Sequence, residues 1–193
     1  MYEYLSGKLA SVNAACAVID CGGVGYLLEI SLNTFSAIQE RKEVKLWVHE
    51  IIREDAHLLY GFFTESEREM FRYLLAVNGV GASTARMMLS SLSVSELCDA
   101  IASQDAKMIQ RVKGVGAKTA QRIVLELKDK LPSTGALASR SGVAAQPVSQ
   151  NKEEALSALV MLGFVKSAAD KVLQSLDNSL TVEELIKEAL KKL

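Results

Sequence analysis

The sequence predicts a multidomain chain. An N-terminal five-stranded OB-like β-barrel comes first, then an all-α middle domain, then a small three-helix C-terminal domain on a flexible linker. Three observations predict this. Apolar residues alternate with a period of two up to Phe63 and follow a helical period after it. The stretch NGVGASTARMML (Asn78–Leu89) returns thirty-five positions later as KGVGAKTAQRIV (Lys113–Val124), with six of twelve positions identical. Both prolines of the chain fall in residues 132–150, PSTGALASRSGVAAQPVSQ, among small polar residues without periodicity.

Residues 1–63 read as strands. VGYLLEISL places Val24, Tyr26, Leu28, Ile30 and Leu32 on one face, and VKLWVHEII (Val44–Ile52) repeats the habit. YEYLSGKLASV, CAVIDC and HLLYGFF supply three more strands. Gly22-Gly23 fits a hairpin turn, and Asn33–Glu40 fits a short helix. An OB-like barrel is the economical closure of five short strands, although period alone fits a sandwich equally well.

Residues 64–131 read as helices. Thr64-Glu65-Ser66-Glu67 and Ser93-Val94-Ser95-Glu96 are capping-box patterns, and Pro132 ends the run. Residues 132–150 form the linker. The tail, 151–193, predicts helices over Glu153–Leu162, Lys166–Leu176 and Val182–Leu193, with Gly163 closing the first and Thr181–Glu184 capping the third. A unit of about 43 residues is near the lower limit for folding alone, and such units usually hold a partner.

The formal net charge of −1 argues against a nucleic-acid binder when taken as an average. Its distribution argues the other way. Residues 1–63 carry net −3 and residues 64–131 net +2. Ala106–Lys130 sets Lys107, Arg111, Lys113, Lys118, Arg122, Lys128 and Lys130 against Glu126 and Asp129 alone. Cys16, Cys21 and Cys98 have no paired spacing, so neither a disulfide framework nor a metal site is expected. No apolar run approaches a membrane span, and no leader pattern opens the chain; a soluble cytoplasmic protein is expected.

Each glycine loop runs straight into an amphipathic stretch. A glycine loop at a helix N-terminus offers backbone N–H groups to an anion, aided by the helix dipole. The dinucleotide fingerprint fails, because Thr84 and Thr119 stand where its third glycine belongs. The P-loop fails too, with Ala117 before Lys118 and Val112 at its first glycine. No nucleotide or other cofactor is expected. Two like grips suit a polymer of regularly spaced charge, and nucleic-acid phosphate is the obvious one. The candidate contacts are Gly79, Gly81, Ser83 and Thr84 in the first loop, and Gly114, Gly116, Lys118, Thr119 and Arg122 in the second. The competing reading makes both turns mere helix connections, with Val80 and Val115 filling core. Duplication and the charge around one copy favour phosphate.

The pattern hydrophobic-x-Gly-hydrophobic-Gly-small-x-x-Ala, at Val77–Ala85 and Val112–Ala120, resembles the helix-hairpin-helix motif of DNA binders that read no sequence. Tandem copies between a barrel and a linked helical tail resemble, over the whole chain, the RuvA family. These are the Holliday-junction-binding subunits of the bacterial branch-migration machine. CGGVGYLLEI and REDAHLLYGF add to the likeness.

The resemblance implies a tetramer, or an octamer, that holds a four-way junction open and flat and recruits a RuvB-type hexameric ATPase, with a RuvC-type resolvase as a further partner. It implies that Glu54 and Asp55 form an acidic pin at the crossover, where carboxylates repel phosphate; alone they read as a solvated turn. MLGF (Met161–Phe164) is similar to ubiquitin-associated-like (UBA-like) folds, which makes Leu159, Leu162, Phe164 and Leu190 candidate motor contacts, each equally readable as core. The chain departs from the family pattern in its first loop. Members often carry a lysine there, whereas this chain has Ala82-Ser83 and must lean on backbone donors and Arg86, or bind more weakly.

A helix-hairpin-helix glycosylase or nuclease is the enzymatic reading, but no catalytic Asp or Lys follows the second hairpin in a suitable context, and no carboxylate or His/Cys cluster appears. No catalytic residue is therefore expected. A generic duplex-binding module would also use the twin loops. An RNA-binding barrel would need a basic barrel face, and the acidic barrel argues against it. His49, His57, Trp47 and Met87-Met88 read as core or surface.

Overall fold

A computed structural model of the chain describes residues 1–131, 149–177 and 180–192. Strands β1 (Tyr4–Val12), β2 (Cys16–Cys21), β3 (Val24–Ile30), β4 (Glu43–Ile52) and β5 (His57–Phe62) close into a barrel in the order β1-β2-β3-β5-β4. Every pairing is antiparallel except β3 with β5, which is parallel. Closure excludes the sandwich. The interior is filled by Ala17, Ile19, Leu28, Ile30, Leu46 and Val48, and helix α1 (Leu32–Ile38) adds Ile38 to the same core. Gly22 and Gly23 turn β2 into β3 at φ +67° and +94°, a left-handed pair that favours glycine at both positions. Asp20 Oδ1 accepts from the Gly23 N–H at 2.7 Å.

One expectation for β3 is corrected. Leu32 has left the strand to open α1, where Ser31 caps the helix by accepting from Thr34 N–H. Val24 keeps its place in the strand but is exposed at the hairpin edge.

Helices α2 (Glu65–Leu75), α3 (Ala82–Ser91), α4 (Val94–Ala102), α5 (Ala106–Gln110) and α6 (Ala117–Lys128) pack around Met70, Phe71, Leu74, Met88, Leu97, Ile109, Ile123 and Leu127. Tyr60 and Phe62 of β5 belong to this same cluster, with the Phe62 and Phe71 rings 4.9 Å apart. The β5 wall of the barrel is therefore built into the helical core, which is separate from the core inside the barrel. The Ser93 capping box is complete. The Thr64 box is only half made. Thr64 accepts from Glu67 N–H, but the Glu67 carboxylate accepts from Phe63 N–H and Thr34 Oγ1, each at 3.0 Å, and so ties α1 to α2.

The tail has its own core of Ala155, Leu159, Ala169, Leu173, Leu185 and Ala189. It is built by α7 (Ser149–Met161), α8 (Lys166–Gln174) and α9 (Val182–Leu190). Helix α7 begins at Ser149, four positions before the expected start and inside the stretch read as linker. The rest of that stretch, 132–148, lies outside the described residues. Gly163 at φ +97° closes α7 as expected: its N–H reaches Val160 O, and Phe164 N–H reaches Leu159 O. That pair of bonds satisfies two of the helix's last carbonyls.

Candidate nucleic-acid interface

The two glycine turns have the same backbone. Gly79 and Gly114 both sit at φ +89°. Val80 N–H bonds Val77 O, and Val115 N–H bonds Val112 O, both at 3.1 Å. Ala85 and Ala120 then start their helices by donating to Gly81 O and Gly116 O, both at 2.9 Å. The four valines are buried, so the turns do fill core. That role and phosphate binding are compatible, because the valines point inward while the glycines stay at the surface.

Gly81 and Gly116 are the informative residues. Each is the N-cap of its helix, at φ −92° and −79°, in extended backbone that any residue adopts. A Cβ at either position would meet nothing within 4 Å. Neither strain nor crowding requires glycine there. Glycine also removes the side-chain acceptor that serves α1, α2, α4 and α5, which are capped by Ser31, Thr64, Ser93 and Asp105. Helices α3 and α6 have no such cap. Their first-turn N–H groups are left open to an incoming anion.

The side chains around the two loops differ. Ser83 and Lys118 are exposed, and Thr84 and Thr119 are half-buried beside them. Lys107, Arg111, Lys113, Lys128 and Lys130 are also exposed, on or near the second hairpin. Arg122 is half-exposed and already engaged: Nη1 donates to Asn78 O at 3.0 Å, and Nε lies 4.0 Å from Glu126. Arg86 does not serve the first loop. Its Nη1 pairs with the Glu29 carboxylate on β3 at 3.2 Å and donates to Ala15 O at 3.1 Å. The first loop thus presents backbone donors and two hydroxyls without a cation of its own.

Glu54 and Asp55 are exposed on the turn between β4 and β5, where Arg53 N–H closes onto Ala56 O at 2.8 Å. Below the turn, Glu50 bridges His57 and the N-terminal amine. His49 is a packing residue that accepts from Arg72 Nε and stacks edge-on against Phe71. Burial, then Arg72 and Arg68, hold its pKa below the ordinary histidine value. Of the methionine pair, Met88 is core and Met87 is exposed. Among the described residues, no group of His, Cys, Asp and Glu could hold a metal ion, and no helix is long and apolar enough to cross a membrane.

In the tail, Leu162 and Leu190 are exposed and Phe164 is partly buried. Leu159 is a correction: it is fully buried at the centre of the tail's core and has no surface to offer. Sequence reasoning missed the exposure of Met161 and Val165, which flank Gly163 at 88% and 69%. Their signal was an apolar run on both sides of a helix-ending glycine, longer than a three-helix core needs.

Three family models match the chain. "RuvA N terminal domain" covers residues 1–61, "SAM-like Helix-hairpin-helix tandem" residues 71–129, and "RuvA, C-terminal domain" residues 150–193. Full-length relatives carry the name "Holliday junction branch migration complex subunit RuvA". The chain is 50% identical to that of Christiangramia forsetii and 47% identical to that of Bacteroides thetaiotaomicron, in both cases over 100% of each chain. It is 45% identical to that of Cytophaga hutchinsonii over 99% of each.

Proposed function

The chain belongs to the RuvA family, and on that premise we propose that it is the DNA-binding subunit of a Holliday junction branch migration complex, without a catalytic centre of its own. The observation that supports the DNA-binding part is the pair of glycine N-caps that the fold itself does not require. Each grips a phosphate through first-turn N–H groups, with Ser83 and Thr84, or Lys118, Thr119 and Arg122, adding hydroxyl and charge. Such contacts hold a backbone and read no sequence.

Four copies, or eight, place their Glu54 and Asp55 carboxylates at the crossover of a four-way junction, where they repel phosphate and guide strands outward. The tail engages a RuvB-type hexameric ATPase through Leu162, Leu190 and, partly, Phe164, and the ATP chemistry belongs to that partner. A RuvC-type resolvase acts on the same assembly, in the cytoplasm. No cofactor enters the reading.

The test is a competition between a synthetic four-way junction and a linear duplex of the same sequence, across a salt series. Strong preference for the junction, independent of its sequence, supports the reading. Equal binding to both would leave a generic duplex binder and remove the roles given to the acidic pair and the tetramer.

A further inference from the structure

Helix α3 carries one arginine, and that arginine points at the barrel. Arg86 Nη1 reaches both the Glu29 carboxylate (3.2 Å) and Ala15 O (3.1 Å), with the two charged side chains 26% and 35% exposed. The C-terminal end of the same helix is held by α1. Asn33 Nδ2 donates to Leu89 O at 2.7 Å and to Leu92 O at 3.2 Å, and Leu32 N–H donates to Ser90 Oγ at 3.1 Å. Asn33 thereby satisfies carbonyls that a helix C-terminus otherwise leaves open. The second hairpin has no matching arginine: the position equivalent to Arg86 is Gln121, which is exposed.

We infer that Arg86, Glu29 and Asn33 form a strut that fixes the first hairpin's angle to the barrel, and so to the acidic turn at Glu54-Asp55. The inference rests on the junction-binding reading above and adds positioning residues to it. The physical reason lies in the first loop. It has no basic side chain, so its grip relies on backbone donors and the Ser83 and Thr84 hydroxyls, which are short-range and directional. A flexible lysine tolerates a misplaced phosphate; a fixed N–H does not. A loop of this kind works only if something rigid aims it. The strut supplies the aim, and Arg122 passes it on to the second hairpin through Asn78 O.

The sign of one substitution separates this role from its competitors. Glu29→Gln makes the chain less negative and releases Arg86. Simple charge attraction, or a direct Arg86–phosphate contact, would then tighten DNA binding. The strut predicts the reverse. The experiment measures junction and duplex affinities of the full-length protein over a salt series, for Glu29→Gln, Arg86→Gln, the double variant and Asn33→Ala, well below each variant's unfolding temperature.

The expected result is a loss of junction affinity of about five- to tenfold in each variant, the usual range for coupled groups. The double variant falls no further than either single one, duplex affinity changes little, and the salt slope is unaltered. Tighter binding by Glu29→Gln overturns the strut. So does a salt slope reduced by about 0.9 per bound subunit in Arg86→Gln, the signature of a lost phosphate contact. Unchanged junction affinity in all four variants reduces the ion pair to a stability element and also overturns it. Failure of the unaltered protein to prefer the junction is a separate result that removes the junction reading together with the strut.

Discussion

Arg122 Nη1 donates to the carbonyl oxygen of Asn78 across 3.0 Å, so a residue of the second hairpin's helix holds the turn of the first. A guanidinium has donors left over after one such bond. Arg122→Lys keeps the charge and loses the fork that can bond Asn78 and a phosphate together. The expected outcome is weaker junction binding with an unchanged salt slope. Lys118→Ala gives the contrast: binding to junction and duplex falls alike, and the slope drops by about 0.9 for each bound subunit. Salt titrations of both variants check this, and an unaltered slope in Lys118→Ala would end the phosphate role of that lysine.

The glycines of each turn separate stability from binding. Gly79→Ala and Gly114→Ala force a Cβ into the left-handed region at φ +89° and cost about 1–2 kcal/mol each. Gly116→Ser meets no neighbour and gains a side-chain cap. The serine variant is expected to melt no lower than the parent and to bind DNA less well, because its side chain occupies the phosphate's place. Thermal unfolding together with a binding titration checks this; DNA binding at parental strength would remove Gly116 from the interface.

Neutralising the acidic turn with Glu54→Gln and Asp55→Asn removes repulsion without removing any grip. Junction affinity is expected to stay level or rise, duplex affinity to rise more, and the ratio between them to shrink. The competition assay reads that ratio directly. A ratio that holds steady would return the pair to a solvated turn.

The tail's buried and exposed leucines should behave differently. Leu159→Ala empties the tail's core and costs about 2–5 kcal/mol, enough to unfold a unit this small. Leu162→Glu leaves that core intact, because the side chain is 62% exposed. Leu162→Glu is expected to preserve junction binding and the helical content of the tail while abolishing motor-driven branch migration. Circular dichroism and a strand-displacement assay with the ATPase check it, and full migration by Leu162→Glu would move the contact elsewhere.

Glu67 carries a pH dependence. Burial pushes its pKa above the ordinary carboxylate value, against the pull of bonds from Thr34, Thr64 and Phe63. The folded state therefore holds this proton more tightly than the unfolded chain. Its contribution to stability is greatest below the unfolded carboxylate value and declines as pH rises through the folded one. Glu67→Gln should flatten that decline relative to the parent as pH rises above the ordinary carboxylate value of about 4. Urea unfolding across that range checks it; parallel curves for the two proteins would contradict the assignment.

Much of the architecture was legible because it is local. The change of period at Phe63, the full capping boxes at Ser93 and Thr181, the Gly22-Gly23 hairpin and the closing role of Gly163 each depend on a handful of adjacent residues. The twin glycine loops were legible for the same reason, as a repeated short pattern. Errors fell where a second element competes for a side chain. The Glu67 carboxylate is drawn onto Thr34 of α1 and Phe63 N–H, partners that its own capping pattern does not name. Leu159 is core rather than contact because two other helices close over it.

The sequence by itself determined the order of domains, the repeated glycine loops and the absence of nucleotide-binding glycine patterns, since these are properties of runs of neighbouring residues. Only the tertiary structure decided that the sheet closes as a barrel, that Gly81 and Gly116 stand in open space, and where the arginines point. Arg122 bonds a residue 44 positions away and Arg86 one 71 positions away. Partners that distant are chosen by how the chain folds back on itself, and no periodicity along the sequence records that choice.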